Sequence, residues 1–251
     1  MPDAIVLAGG GREPGLDPAI PNKGFISLGG RPLVAHVVGA LQSARSVGRI
    51  AAVGPVELLR AVLPPEVTPV DDAGGIMDNV VRALATLGTT SPTLVVASDI
   101  PLLTPRAVEE FVSACEHNRA DFHYAIVPQE AVERLYPGAR KTYVRVVDGT
   151  FTGGSMMLFN PAVVERVRTF VDKVVAARKK PWMLAQLFGW SVVMKFASGR
   201  LSIAEMQEKV TEILGVTARA VISPHPELAL DVDAGKPENL AIIRRALEAP
   251  V

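Results

Sequence analysis

Cysteine is almost absent from the chain: Cys115 is the only one in 251 residues. That excludes an internal disulfide and fits a reducing compartment. Cys115 falls in the apolar pattern of 108–115, where a core residue is expected rather than a nucleophile. Net charge is absent too, with 26 Lys and Arg against 26 Asp and Glu. Without a basic excess there is no electrostatic footprint of a general nucleic-acid binder, although a local anion pocket is not excluded. No apolar run reaches the ~18 residues that span a bilayer, and none has the flanks of a signal peptide. The expectation is a soluble, cytoplasmic protein. HExxH, CxxC and GxSxG are missing, which removes the usual signatures of zinc and serine hydrolysis. So are the GxxxxGK[ST] P-loop and a complete GxGxxG.

Hydrophobic residues make up 49% of the chain, enough to bury a sizeable core as one α/β domain. Residues 4–7 form a short unbroken apolar run, as expected of a strand buried on both faces. Gly9, Gly10 and Gly11 follow, then Arg12, and Lys23 comes soon after. Successive glycines turn without a Cβ and leave their N–H groups free to point at one anion. Strand, glycine turn and two cations together suit a triphosphate.

Downstream, apolar strands at 50–53, 67–70, 93–97 and 122–127 alternate with helical patterns at 33–43, 56–62, 77–87 and 105–118, the last capped by Thr104. This alternation predicts a mostly parallel sheet with helices on both faces, and ligands beyond the carboxyl ends of the strands. Asp99 stands at such an end. A carboxylate there is costly unless paired, and a divalent cation would satisfy it; a turn or cap role before Pro101 is the alternative. After residue 128 the rhythm changes. Strands are expected at 142–147 and 155–159, joined by Asp148-Gly149, then a helix at 161–177. Ser202 and Glu205 form a capping-box pattern ahead of a helix to 214. A strand at 218–222 and a helix at 237–247 complete the chain. Asp231 and Asp233 alternate, so an extended segment would carry both on one face. Two acidic loops beside a phosphate cradle suit Mg2+.

LAGGG…NKGF…LGGRPLV, SDIPLLT and LDVDAGKPENL resemble, in order, the landmarks of the MobA-like NTP transferases. That nucleotidyltransferase superfamily includes molybdenum-cofactor guanylyltransferase and sugar-phosphate and polyol-phosphate cytidylyltransferases. The resemblance implies a Rossmann-like three-layer α/β/α sandwich of the GT-A, or nucleotide-diphospho-sugar transferase, type. It also implies transfer of a nucleoside monophosphate from an NTP, GTP or CTP, to a small phosphorylated acceptor. Residues 1–251 would form a single domain, with 1–128 its nucleotide-binding half and 129–251 its acceptor-binding half. Leu7, Ala8, Gly9, Gly10, Gly11, Asn79 and Ser98 would line the nucleotide, and Lys23 would neutralise the triphosphate. Asp99 would hold Mg2+ with Asp231 or Asp233, Asp231 being favoured. Arg12 lies two residues before the family's arginine, Asn22 replaces the proline of a Pro-Lys pair, and Ala-Gly-Lys replaces a tight Thr-Pro. Lys141, Arg145 and a turn at Gly153, Gly154 and Ser155 would meet the acceptor's anionic group.

Two other functions use the same features: glycosyl transfer from a nucleotide sugar, and nucleotide binding without turnover. The most apolar stretch, 182–196, is expected to be buried, in the core or against a second copy of the chain. The alternative is a flap facing a membrane or covering the acceptor, since Arg178, Lys179 and Lys180 precede it.

Overall fold

The computed structural model describes residues 1–11, 17, 19–177, 181–233 and 235–248. Arg12, Arg178, Lys179, Lys180 and Ala234 lie outside them. The chain opens with β1 (Asp3–Leu7), then a small hairpin of β2 (Ser27–Leu28) and β3 (Arg31–Pro32). Next come α1 (Leu33–Ser43), β4 (Ile50–Val53), α2 (Val56–Val62), β5 (Thr68–Val70), α3 (Ile76–Leu87) and β6 (Thr93–Ala97). They are followed by α4 (Pro105–His117), β7 (Phe122–Pro128), α5 (Gln129–Leu135), β8 (Val144–Val146) and β9 (Gly149–Phe159). The remainder is α6 (Val164–Ala177), α7 (Pro181–Phe188), α8 (Trp190–Ala197), α9 (Ile203–Leu214), β10 (Ala218–Ile222) and α10 (Pro237–Glu248).

One eight-stranded sheet runs β10-β7-β9-β6-β1-β4-β5, with β8 hanging on β9. β1 pairs in parallel with both β4 and β6. Ala4, Ile5 and Val6 are therefore fully buried, which is why 4–7 reads as an uninterrupted apolar run. One core lies on the α1 and α4 side of the sheet, around Val37, Leu41 and Phe111, and a second lies under α3, around Ile5, Val80 and Leu84. Cys115 belongs to the first core, and burial pushes its thiol up to about 12. Thr104 caps α4 through the Ala107 N–H, and Ser202 and Glu205 form a reciprocal capping box on α9.

Three expectations need correction. Gly153, Gly154 and Ser155 do not form a turn; they lie inside β9, one eleven-residue strand antiparallel to both β6 and β7. Glycine in a strand marks close approach as readily as a turn. A Cβ on Gly153 would stand 2.4 Å from the Tyr124 hydroxyl, and one on Gly154 3.0 Å from Ala125 Cβ. The strand expected at 142–147 is confined to β8, and α5 was not foreseen. The stretch 182–196 is two helices broken at Gly189 (φ +89), and of the two burials expected for it the one in this chain's core is overturned: Trp182 is 54% exposed and Trp190 67%.

Candidate active site

The site lies beyond the carboxyl ends of β1 and β6. The Leu7–Ala97 register brings those ends together, and the Ser98 N–H donates to the Leu7 carbonyl at 3.2 Å. From Ala8 the chain leaves the sheet into the glycine loop. Gly10 has φ +98, a backbone that favours glycine, and a Cβ on Gly9 would sit 2.7 Å from the Asp72 carboxylate. Asp72 Oδ2 accepts from the Gly10 N–H at 2.5 Å. Its Oδ1 accepts from the Gly74 N–H and from Asn79 Nδ2, at 2.8 and 2.9 Å. Asn79 is itself buried and accepts from the Ala73 N–H at 2.6 Å. Donation by Gly10, foremost, holds the Asp72 carboxyl below its usual range. Asn79 thus stands behind the glycine loop, joined to it through Asp72.

Lys23 begins a short 3-10 turn, Lys23–Phe25. Asn22, where the resembling sequences have proline, is buried and fastens that turn to the strand end. Its Nδ2 donates to the Ala8 carbonyl at 2.9 Å, and its Oδ1 accepts from the Gly24 N–H at 3.0 Å. Position 24 must be small, because a Cβ on Gly24 would meet Ser98 Oγ at 2.8 Å. This packing sets Lys23 Nζ 3.9 Å from Asp99 Oδ2.

Asp99 follows β6 directly. Burial foremost, then the neighbouring Asp231 carboxylate, pushes its carboxyl up to about 6, against the opposing pull of Lys23 and Lys141. The last part of the chain supplies Asp231. The Val232 N–H donates to the Asp99 carbonyl at 2.8 Å, so the segment lies as a strap over the β6 end. Leu230 and Val232 anchor the strap among Leu28, Leu33 and Ile243. Asp231 pairs with Lys141, a mostly buried ammonium. The backbone of Arg140, beside it, is gripped by the fully buried Asn239. Its N–H donates to Asn239 Oδ1 at 2.7 Å and its carbonyl accepts from Nδ2 at 3.1 Å.

Asp233 is placed differently from Asp231. It accepts from the Gly235 N–H at 2.9 Å, which lowers its pKa, and pairs with Lys236 at 3.3 Å. Arg145 is exposed on β8, and its side chain passes close to Gly199. Gly153–Ser155 lies midway along β9, just beyond the carboxyl end of β6, because Met156 is in register with Val96. Asp72 and Asn239 were missed because each acts across the fold; Asn22 acts locally, on Ala8 and Gly24, and the sequence marked it only as the residue that replaces proline before Lys23.

Asp99 and Asp231 raise a common difficulty, two carboxylates close together beside a buried strand end. A divalent cation would relieve it, and Mg2+ commonly takes one or two carboxylates, completing its shell with phosphate oxygens and water. Among the described residues, no group of three or more His, Cys, Asp or Glu is gathered to hold a metal alone. Asp99 and Asp231 are the carboxylates that could hold such an ion.

The family model of the MobA-like NTP transferase domain matches residues 4–180. A solved hypothetical transferase from Thermus thermophilus is 37% identical with a TM-score of 0.83, over 93% of this chain and 97% of its own. CMP:2-keto-3-deoxy-manno-octonic acid synthetase, solved with CTP, shares the fold at a TM-score of 0.58 and 14% identity, over 98% of each chain. No curated protein matches the sequence. With its glycine loop, Lys23 and Asp99 all inside the matched domain, the chain belongs to the MobA-like NTP transferases, enzymes of nucleotidyl transfer from a nucleoside triphosphate.

Proposed function

We propose that this nucleotidyltransferase moves the nucleoside monophosphate of GTP or CTP onto a small phosphorylated acceptor, with Mg2+ held by Asp99 and Asp231, releasing pyrophosphate. One observation carries the reading: Asp99, Asp231, Lys23 and Lys141 come from distant parts of the chain and meet beside the glycine loop. Bound Mg2+ would neutralise phosphate charge and polarise the oxygens it touches.

The chain's own groups account for the remaining work. An acceptor phosphate is already ionised near neutral pH, so attack on the α-phosphorus needs no strong general base. Positioning and charge stabilisation suffice. The N–H groups of Gly9, Gly10 and Gly11 would line the triphosphate, with Leu7, Ala8, Asn79 and Ser98 around them. The Gly10 N–H is held by Asp72, so a phosphate taking that donor exchanges one anion for another. Lys23 would offset the charge that builds on pyrophosphate. Lys141, tied to Asp231, stands on the second-half side, where the acceptor would enter past Gly153–Ser155 and Arg145.

The test is pyrophosphate release from each of the four NTPs, with and without Mg2+, against a panel of phosphorylated acceptors. Release confined to GTP or CTP, and dependent on both metal and acceptor, is the expected result. NDP release from a nucleotide sugar would replace this reading with glycosyl transfer. NTP binding without turnover would replace it with a regulatory role.

A further inference from the structure

The segment from Lys173 to Ala204 contains Lys173, Arg178, Lys179, Lys180, Lys195 and Arg200, and no Asp or Glu. The chain as a whole is balanced, so the rest of it carries an acidic excess of equal size. The same segment holds both tryptophans of the protein. Within it, Pro181–Phe188 and Trp190–Ala197 form the α7–α8 hairpin, bent at Gly189. Trp182, Trp190, Met194 and Phe196 are 54%, 67%, 64% and 43% exposed.

The hairpin is packed at its bend and just past its second helix. Phe188 meets Phe170 of α6 edge-on, with ring centroids 5.8 Å apart. Leu201, just past α8, is buried and accepts from the Val147 N–H. Acidic groups meet α8 in the cleft it shares with α9: Glu205 pairs with Lys195, and Glu208 and Glu212 line the same cleft with Lys209. Arg200 is exposed. The aromatic side chains therefore stand out on a surface whose flanking sequence is cationic.

Two partners could cover such a surface. A second copy related by two-fold symmetry would bring the same patch against itself. That contact would juxtapose two runs that contain cations and no anions. An anionic lipid surface has the opposite sign. Tryptophans settle at the headgroup level of bilayers, and short helices pairing aromatic and basic residues lie in that plane. No helix among the described residues is long and apolar enough to cross a membrane, so the contact would be a surface one.

We propose that the α7–α8 hairpin docks this enzyme on an anionic lipid bilayer, with Trp182, Trp190, Met194 and Phe196 inserted at the interface. The proposal is independent of the nucleotide and of the acceptor.

Both tryptophans lie in the hairpin, so intrinsic fluorescence of the full chain reports on it directly. Vesicles of phosphatidylcholine mixed with phosphatidylglycerol should shift the emission to the blue and carry the protein upward in flotation. Vesicles of phosphatidylcholine alone should do neither, and added salt should weaken the effect. Trp190→Glu should reduce partitioning by about tenfold or more with an unchanged melting temperature. Met194→Glu serves in its place if that variant does not fold. Unmoved emission with anionic vesicles, or an equal response to neutral ones, would overturn the proposal. So would a dimer in light scattering that buries both tryptophans and is broken by Trp190→Glu.

Discussion

At Asp99 a single residue sets function against stability. Its folded pKa, about 6, stands above the 3.8 of an ordinary aspartate, chiefly through burial and then through Asp231. Below about pH 3.8 the carboxyl is protonated folded and unfolded alike, and the fold is not penalised. Between pH 3.8 and about 6 the unfolded carboxyl is ionised while the folded one still holds its proton, so the cost to the metal-free fold grows across that window and levels off above pH 6 at no more than about 3 kcal/mol. Asp99→Asn should therefore raise the melting temperature of the metal-free protein at pH 8, and raise it roughly half as much at pH 5, where about half of that cost has built up. The same variant should lower nucleotidyl transfer by about a thousandfold, since a metal-binding carboxylate supplies several kcal/mol. Melting scans at the two pH values and a pyrophosphate assay check both halves; identical scans for the two proteins would remove the burial argument. Lys23→Ala, by contrast, should weaken NTP affinity and turnover together, measured by calorimetry and by rate. An affinity unchanged in that variant would mean that Lys23 does not neutralise the triphosphate. That Asp99 and Lys23 belong at one site could be read from the sequence because each adjoins a short, punctuated motif, and the fold sets them 3.9 Å apart. Asp72 and Asn239 were not, because their partners Gly10 and Arg140 lie 62 and 99 residues away.

Elements were legible where periodicity and capping agreed. β6 ends at Ala97 and α4 starts at Pro105 because an apolar run stops at a carboxylate and Thr104 caps the next turn. β9 was obscured by its own glycines, whose reason lies across the sheet in β7. At Gly153 a methyl group would stand 2.4 Å from Tyr124 Oη, while the next ring atom, Cζ, lies at 3.3 Å. Gly153→Ala should accordingly cost about 1–3 kcal/mol, the usual price of overpacking. Most of that loss should be absent when Gly153→Ala is made in a Tyr124→Phe background, which lacks the hydroxyl. Urea denaturation of the four proteins forms the double-mutant cycle. Strict additivity would mean that Gly153 is glycine for some reason other than this contact. The α7–α8 hairpin was legible as apolar but not as exposed, because periodicity reports which residues are apolar and not what covers them.

Across the whole molecule, the two halves of the chain are interlaced rather than laid side by side. β7 belongs to the first 128 residues, yet its neighbours are β9 on one side and β10 on the other. β6 likewise loses its β9 partner if the chain stops at Pro128, and the core loses the buried Met156 and Leu158. The site is divided in the same way: Gly10, Lys23 and Asp99 come before the boundary, Lys141 and Asp231 after it. A fragment of residues 1–128 should therefore lack a cooperative urea transition and should self-associate, because β6 presents an open edge and β7 has no strand to join. The intact chain should unfold in one transition that removes tryptophan and backbone signals together. Mixing fragments 1–128 and 129–251 during refolding should restore nucleotidyl transfer that neither shows alone. A monomeric 1–128 fragment that melts cooperatively would mean that this half carries its own fold, with β9 and β10 added to it rather than required by it.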